Sequence, residues 1–173
     1  VRPVEYAQIL LGCLGEAISG GPDPIDAEYV CLRFGGDVSP SLGTSTDECC
    51  TGLAWVRVVG VARTGPETDD PSFNTCLHAG RRLTLEMGTA RCIPYGTVQR
   101  PTSCEDWTAA ALRMDADHAA MEAALCCFRD AVSVMPYAPY AIVVTEYQPA
   151  GPDGNCLTGT LQLTLDYSCR CGS

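Results

Sequence analysis

Twelve cysteines, two histidines and a scatter of acids are the side chains of this sequence that could do chemistry. The cysteines are Cys13, Cys31, Cys49, Cys50, Cys76, Cys92, Cys104, Cys126, Cys127, Cys156, Cys169 and Cys171. A zinc site draws on cysteine or histidine pairs spaced like Cys-x-x-Cys. The chain has none. Cys169 and Cys171 are two apart, on the same side of a possible strand. Cys49–Cys50 and Cys126–Cys127 are adjacent, and adjacent helical residues diverge by about 100°, which suits a shared ion poorly. A thiol redox centre takes Cys-x-x-Cys at a helix start; Cys104 stands near such a start without the nearby partner. The spacing predicts packed or disulfide-bonded cysteines.

The histidines and acids read similarly. His78 lies beside Cys76 and Gly80 in a loop, and a Cys–His pair two apart is a weak metal or catalytic signal. His118 lies on the apolar stripe of a predicted helix, as a core or edge residue. Glu67, Asp69 and Asp70 are close enough in sequence to hold a cation, but solvated loop charge is the simpler reading. Asp115 and Asp117 are two apart on a helix and do not face each other, so they make no acid–base pair. There is no nucleophile elbow, Walker loop or dinucleotide fingerprint. Gly35-Gly36-Asp37 and Gly151-Pro152-Asp153-Gly154 read as turns. The expectation is therefore no catalytic, cofactor-binding or metal residue and no enzyme, with a small thiol- or metal-dependent enzyme as the alternative of another class.

The element that must position everything else is 103–132. Trp107, Ala111, Met114, His118, Met121, Leu125, Phe128 and Val132 recur at steps of three and four, which predicts a helix with one mostly apolar face. Asp106, Asp115, Asp117, Glu122 and Arg129 fall largely off it. Ser103 with Asp106 predicts a capping box, Glu105 suits the first turn, and Pro136 stops the helix. Trp107, Met114, Met121 and Leu125 are expected to be buried against a sheet.

Residues 4–18 predict a first helix with Tyr6, Leu10, Cys13, Leu14, Ala17 and Ile18 on one face, ended by Gly20 and Gly21. Residues 28–34 read as a short strand. In 53–62, Trp55, Val59 and Val61 share one face and Val56 and Val58 the other. In 81–93, Leu83, Leu85 and Met87 oppose Arg82, Thr84 and Glu86, which predicts an antiparallel strand with one wet face. Strands over 141–147 and 161–167 flank a reversal at 148–158. The expected fold class is α+β: a mostly antiparallel four- to five-stranded sheet with an N-terminal helix and one long helix packed on one face. One domain is expected over 1–173, with long loops at about 35–50 and 63–80.

An apolar fraction of 46% supports a real core. No apolar run is long enough to span a membrane, and no basic-then-apolar leader opens the sequence. The formal net charge is −10, and all eleven basic residues are arginines. That balance argues against a binder that neutralises phosphates, whereas an acidic wall repels a DNA backbone, as a conduit requires. Without a leader, a reducing cytosol disfavours disulfides, although a particle released from its host can oxidise later. We expect Cys31, Cys49, Cys50, Cys76, Cys92, Cys104, Cys156, Cys169 and Cys171 to supply the disulfides, with Cys13 and Cys126 as core thiols.

Four stretches, EYAQILLGCLGEAI at 5–18, CCTGLAWVRV at 49–58, SCEDWTAAALRMDADHAAMEAALCC at 103–127 and YQPAGPDGNCLTGTLQLTL at 147–165, together resemble small head–tail neck proteins of long-tailed, siphovirus-type phages that infect actinobacteria. The chain is similar to tail terminators in particular. That resemblance implies a tail-terminator-like α/β domain forming a ring, commonly a hexamer, on the head-proximal end of the tail tube. Such a ring stops tube polymerisation, docks to the head connector and leaves a channel for DNA. The implied partners are further copies of the chain, the tail tube protein and the head-completion or stopper protein. DNA passes without specific binding, and no membrane is involved. The implied location is the virion neck, and the host cytoplasm during assembly. A head-completion or stopper protein is the alternative within the class. The cysteine content departs from what the family fold requires, so no contact residues are carried over.

Overall fold

The computed structural model describes residues 2–35, 52–64, 80–93, 101–153 and 156–168. The loops expected at 35–50 and 63–80 lie outside those residues except at their ends, as do Cys49, Cys50, Cys76, Cys169, Cys171, His78, Glu67, Asp69 and Asp70. The described elements run α1 (Pro3–Ser19), a 3₁₀ turn (Ala27–Tyr29), β1 (Val30–Phe34), β2 (Leu53–Thr64), β3 (Gly80–Cys92), α2 (Cys104–Ser133), β4 (Ala141–Val144), β5 (Gln148–Asp153) and β6 (Cys156–Ser168).

Both helices begin as local chemistry dictates. Pro3 opens α1, where its missing N–H is not needed, and the Glu5 carboxylate accepts from the Arg2 backbone at 3.2 Å. Ser103 and Asp106 form the expected capping box on α2: the Asp106 N–H donates to Ser103 Oγ at 3.1 Å, and the Ser103 N–H donates back to Asp106 Oδ2 at 3.1 Å. The last helical residue is Ser133, three before Pro136.

The sheet is mixed and, among the described residues, six-stranded, in the order β1-β2-β3-β6-β4 with β5 also paired to β6. β1 runs parallel to β2; the other pairs are antiparallel. This corrects the expected four to five strands. The extra strand is β5, inside the stretch read as a reversal. Its two prolines and Gly151 hide it from a propensity reading. β5 pairs only with β6 among the described residues, and on an edge strand a missing N–H leaves no ladder bond unmade. β4 and β5 share one side of β6, β4 opposite Leu163–Asp166 and β5 opposite Cys156–Thr160.

Both helices pack on one face of the sheet. Strand alternation sends Ala54, Val56 and Val58 of β2, Leu83, Leu85 and Met87 of β3, and Leu161, Leu163 and Leu165 of β6 toward them. These meet Tyr6, Leu10, Leu14 and Ile18 of α1 and Met121, Ala124, Phe128 and Val132 of α2 in one core. The Tyr6 and Tyr167 rings lie 5.4 Å apart, and the Tyr6 hydroxyl donates to the Tyr137 carbonyl at 2.6 Å.

The buried line of α2 is Ala110, Met114, Asp117, Met121, Ala124, Phe128 and Val132. It shares four members with the expected stripe and replaces Ala111, His118 and Leu125 by their neighbours. Trp107, expected to be buried, is 40% exposed, and Leu125 is half-buried. The apolar stripe is wider than the sheet can cover. One margin packs inward, and the other borders a groove.

The same rotation decides the cysteines. Cys13 lies on the apolar face of α1 as expected, but it is disulfide-bonded to Cys127 of α2, with Cα atoms 5.8 Å apart. Cys126, expected as a core thiol, is an exposed free thiol. It sits two residues, about 200°, around the helix from buried Ala124. Cys31 and Cys104, expected in disulfides, are free thiols.

Candidate functional site

The groove lies between the first half of α2 and the β5–β6 hairpin. Its keystone is Tyr147, at the break between β4 and β5. There the backbone of Thr145 still donates to the Gln162 carbonyl at 2.9 Å, while the Tyr147 ring turns inward over Gly159. A Cβ on Gly159 would overlap that ring, so a side chain there would displace it. The ring stacks on His118 with centroids 4.4 Å apart. Burial, with smaller contributions from the Asp117 and Asp115 charges, pushes the Tyr147 phenol up to about 12.

The resulting groove has a volume of about 480 Å³ and is lined by Trp107, Ala111, Met114, Asp115 and His118 from α2, with Tyr147, Pro149, Ala150, Gly151, Leu157 and Thr158 opposite. Neither serine nor cysteine is among these residues. Among the described residues its ionisable groups are Asp115, His118 and the Tyr147 phenol, and the His118 Nε2 lies 3.7 Å from Glu122. The described lining is mostly apolar and aromatic.

Two polar clusters lie outside the groove. Asp117 points inward and takes two hydrogen bonds from Arg91 of β3, at 2.9 and 2.6 Å. Arg91 also donates to the Asp23 carbonyl at 2.7 Å, tying the α1–β1 connection to both β3 and α2. Burial alone would lower the Arg91 pKa, but Asp117, with help from Asp23, raises it.

The second cluster lies on the sheet face away from the helices. There Arg57 makes two hydrogen bonds to Glu86, at 2.6 and 2.9 Å, Gln162 donates to the same carboxylate at 3.0 Å, and the Trp55 indole N–H approaches it at 3.4 Å. Burial pushes the Glu86 carboxyl up, and these donors together with the Arg57 charge outweigh it, holding the carboxyl below its ordinary value. Glu86 was expected on a wet face; it is 5% exposed, and Trp55 beside it is 2% exposed. Both clusters bridge elements distant in sequence, and both read as structural ion pairs.

No protein-family model and no curated protein matches the chain. His118 is an edge residue of α2, stacked on an aromatic ring. Asp115 is exposed at the groove and Asp117 is buried, so the two are kept apart. Among the described residues no three His, Cys, Asp or Glu side chains converge as a metal site would require, and no helix is long and apolar enough to cross a membrane. The Arg91–Asp117 pair went unread, although the alternation held its signal. Arg91 shares the inward parity of Leu83, Leu85 and Met87, and an arginine there demands a buried partner.

Proposed function

We propose that this chain is a structural virion protein and not an enzyme: a tail terminator that caps the head-proximal end of a phage tail tube as a ring, docks to the head connector and leaves a channel for DNA. The supporting observation, besides the sequence resemblance, is the pair of unlike sheet edges. Among the described residues β1 and β4 each pair on one side only. Phe34 on β1 is 72% exposed, and Tyr140 and Val143 at β4 are 64% and 62% exposed. Unpaired edges bearing large apolar side chains are surfaces that monomers normally protect. Two unlike sticky edges favour head-to-tail contact, which closes into a ring when the rotation allows.

The charge distribution fits a conduit. Arg91 and Arg82 are paired with Asp117 and Asp166 within the subunit, Arg91 buried and Arg82 half-exposed, so that neither is an uncompensated cation. Native mass spectrometry and electron microscopy of the purified chain test the reading. A closed ring that attaches to isolated tail tubes is expected, and Val143→Asp or Phe34→Asp should reduce it to monomers. A wild-type monomer that leaves tube polymerisation unchanged overturns it. A ring that binds a portal assembly and ignores tubes assigns the stopper role instead.

A further inference from the structure

We propose that Cys92 and Cys156 form an oxidisable dithiol site, closed to a cross-strand disulfide by thiol–disulfide exchange with a small-molecule disulfide of the glutathione class. This inference is independent of the tail reading. The two residues are directly opposite each other in the β3–β6 ladder, the last residue of one strand against the first of the other. Their sulfurs are 3.9 Å apart, in contact but not bonded to each other. Directly opposed strand residues hold their Cβ atoms about 4.5–5.5 Å apart, close to the 3.5–4.5 Å that a disulfide spans. Strand ends yield more readily than strand centres, so the closing movement is small.

Burial assigns the order of events. Cys92 is half-buried, while Cys156 is 6% exposed. The Cys92 thiolate attacks one sulfur of the oxidant, forms a mixed disulfide and expels one small thiol. The Cys156 thiolate then attacks the Cys92 sulfur, expels the second small thiol and leaves the Cys92–Cys156 bond. The protein loses two electrons and two protons, and the oxidant is reduced to two thiols. Leu157 and Thr158, next to Cys156, line the groove on α2. The closed bond would therefore fix that wall of the groove to β3.

The test incubates the full chain with oxidised glutathione, blocks remaining thiols by alkylation and maps peptides without reduction. The wild-type chain should yield a Cys92–Cys156 linked peptide two hydrogens lighter than the sum of its two reduced halves, and regain both alkylation sites after dithiothreitol, whatever adducts form on the free thiols Cys31, Cys104 and Cys126. Cys156→Ala, with its fold checked by circular dichroism, should stall as a glutathione adduct on Cys92. Cys92→Ala should give no adduct at Cys156. A wild-type chain in which both thiols stay alkylatable, or in which Cys92 is joined to a cysteine other than Cys156, overturns the proposal. An adduct on Cys156 in the Cys92→Ala chain overturns the assigned order.

Discussion

Replacing Asp117 with alanine leaves the Arg91 guanidinium buried with its main partner gone. The Arg91 side chain is 7% exposed and that of Asp117 4%, so neither charge can turn to water without opening the contact between α2 and β3. Removing one member of such a pair costs about 3–5 kcal/mol, because the surviving charge is left desolvated. Arg91 retains the Asp23 carbonyl at 2.7 Å and the Asp23 carboxylate at 3.7 Å, which places the loss near the low end, about 3 kcal/mol. With a urea m-value of about 2 kcal/mol/M, the unfolding midpoint falls by about 1.5 M. The double replacement Arg91→Met with Asp117→Leu removes both charges and refills the volume, and should return to within about 1 kcal/mol of the parent. Urea unfolding of the parent, Asp117→Ala, the singles Arg91→Met and Asp117→Leu, and the double, with the Cys13–Cys127 bond intact, completes the cycle. A loss below about 1 kcal/mol for Asp117→Ala, or a double variant no better than the single, refutes the account of a desolvated pair.

Phe128→Ala, at a fully buried position, should cost about 3–5 kcal/mol in urea unfolding, and Leu125→Ala, half-buried one turn away, no more than about 2 kcal/mol; equal losses would place the stripe where the sequence first suggested. Reducing the Cys13–Cys127 bond frees a loop spanning 114 residues of sequence separation and should lower stability by about 4 kcal/mol, read as a drop in the urea midpoint under dithiothreitol. An unchanged midpoint would deny the bond that role. Because the folded state holds Glu86 below its unfolded value of about 4.5, its contribution is complete above that pH and fades as pH falls through the lowered value. Glu86→Gln should flatten the acid limb of a stability–pH curve, and an unaltered limb counts against the network.

The parts of the fold set by local chemistry were legible. The capping box, the helix stops, the apolar face of α1 and the alternation of β3 depend on residues within a few positions of one another. What tertiary context decides was not. β5 was hidden because its prolines are tolerable only on an edge, and an edge is a property of the whole sheet. The α2 stripe was drawn one margin too wide because sequence counts apolar residues without knowing which the sheet can reach. Asp117 was placed off the apolar face because helical spacing alone cannot see an arginine on a strand. Cys127 was passed over since its bond depends on how α1 and α2 lie side by side. The groove was invisible for the same reason. Trp107 and His118 were read as members of a buried row, and Tyr147 as an ordinary strand residue.

The placement of β6 has a consequence in time. It follows every other described strand in the chain, yet it lies inside the sheet, holding β3 on one side and both β4 and β5 on the other. During synthesis, β4 and β5 therefore emerge with nothing to pair against, and β3 waits with one side open. The waiting partners are distant in sequence, Cys92 and Cys156 being separated by 64 positions, so sheet closure is a late and slow event. A chain cut short before β6 loses three ladders at once. It cannot survive as a nearly correct subunit with usable edges, and it stays open to proteolysis. Completeness of the polypeptide thus becomes a condition for folding.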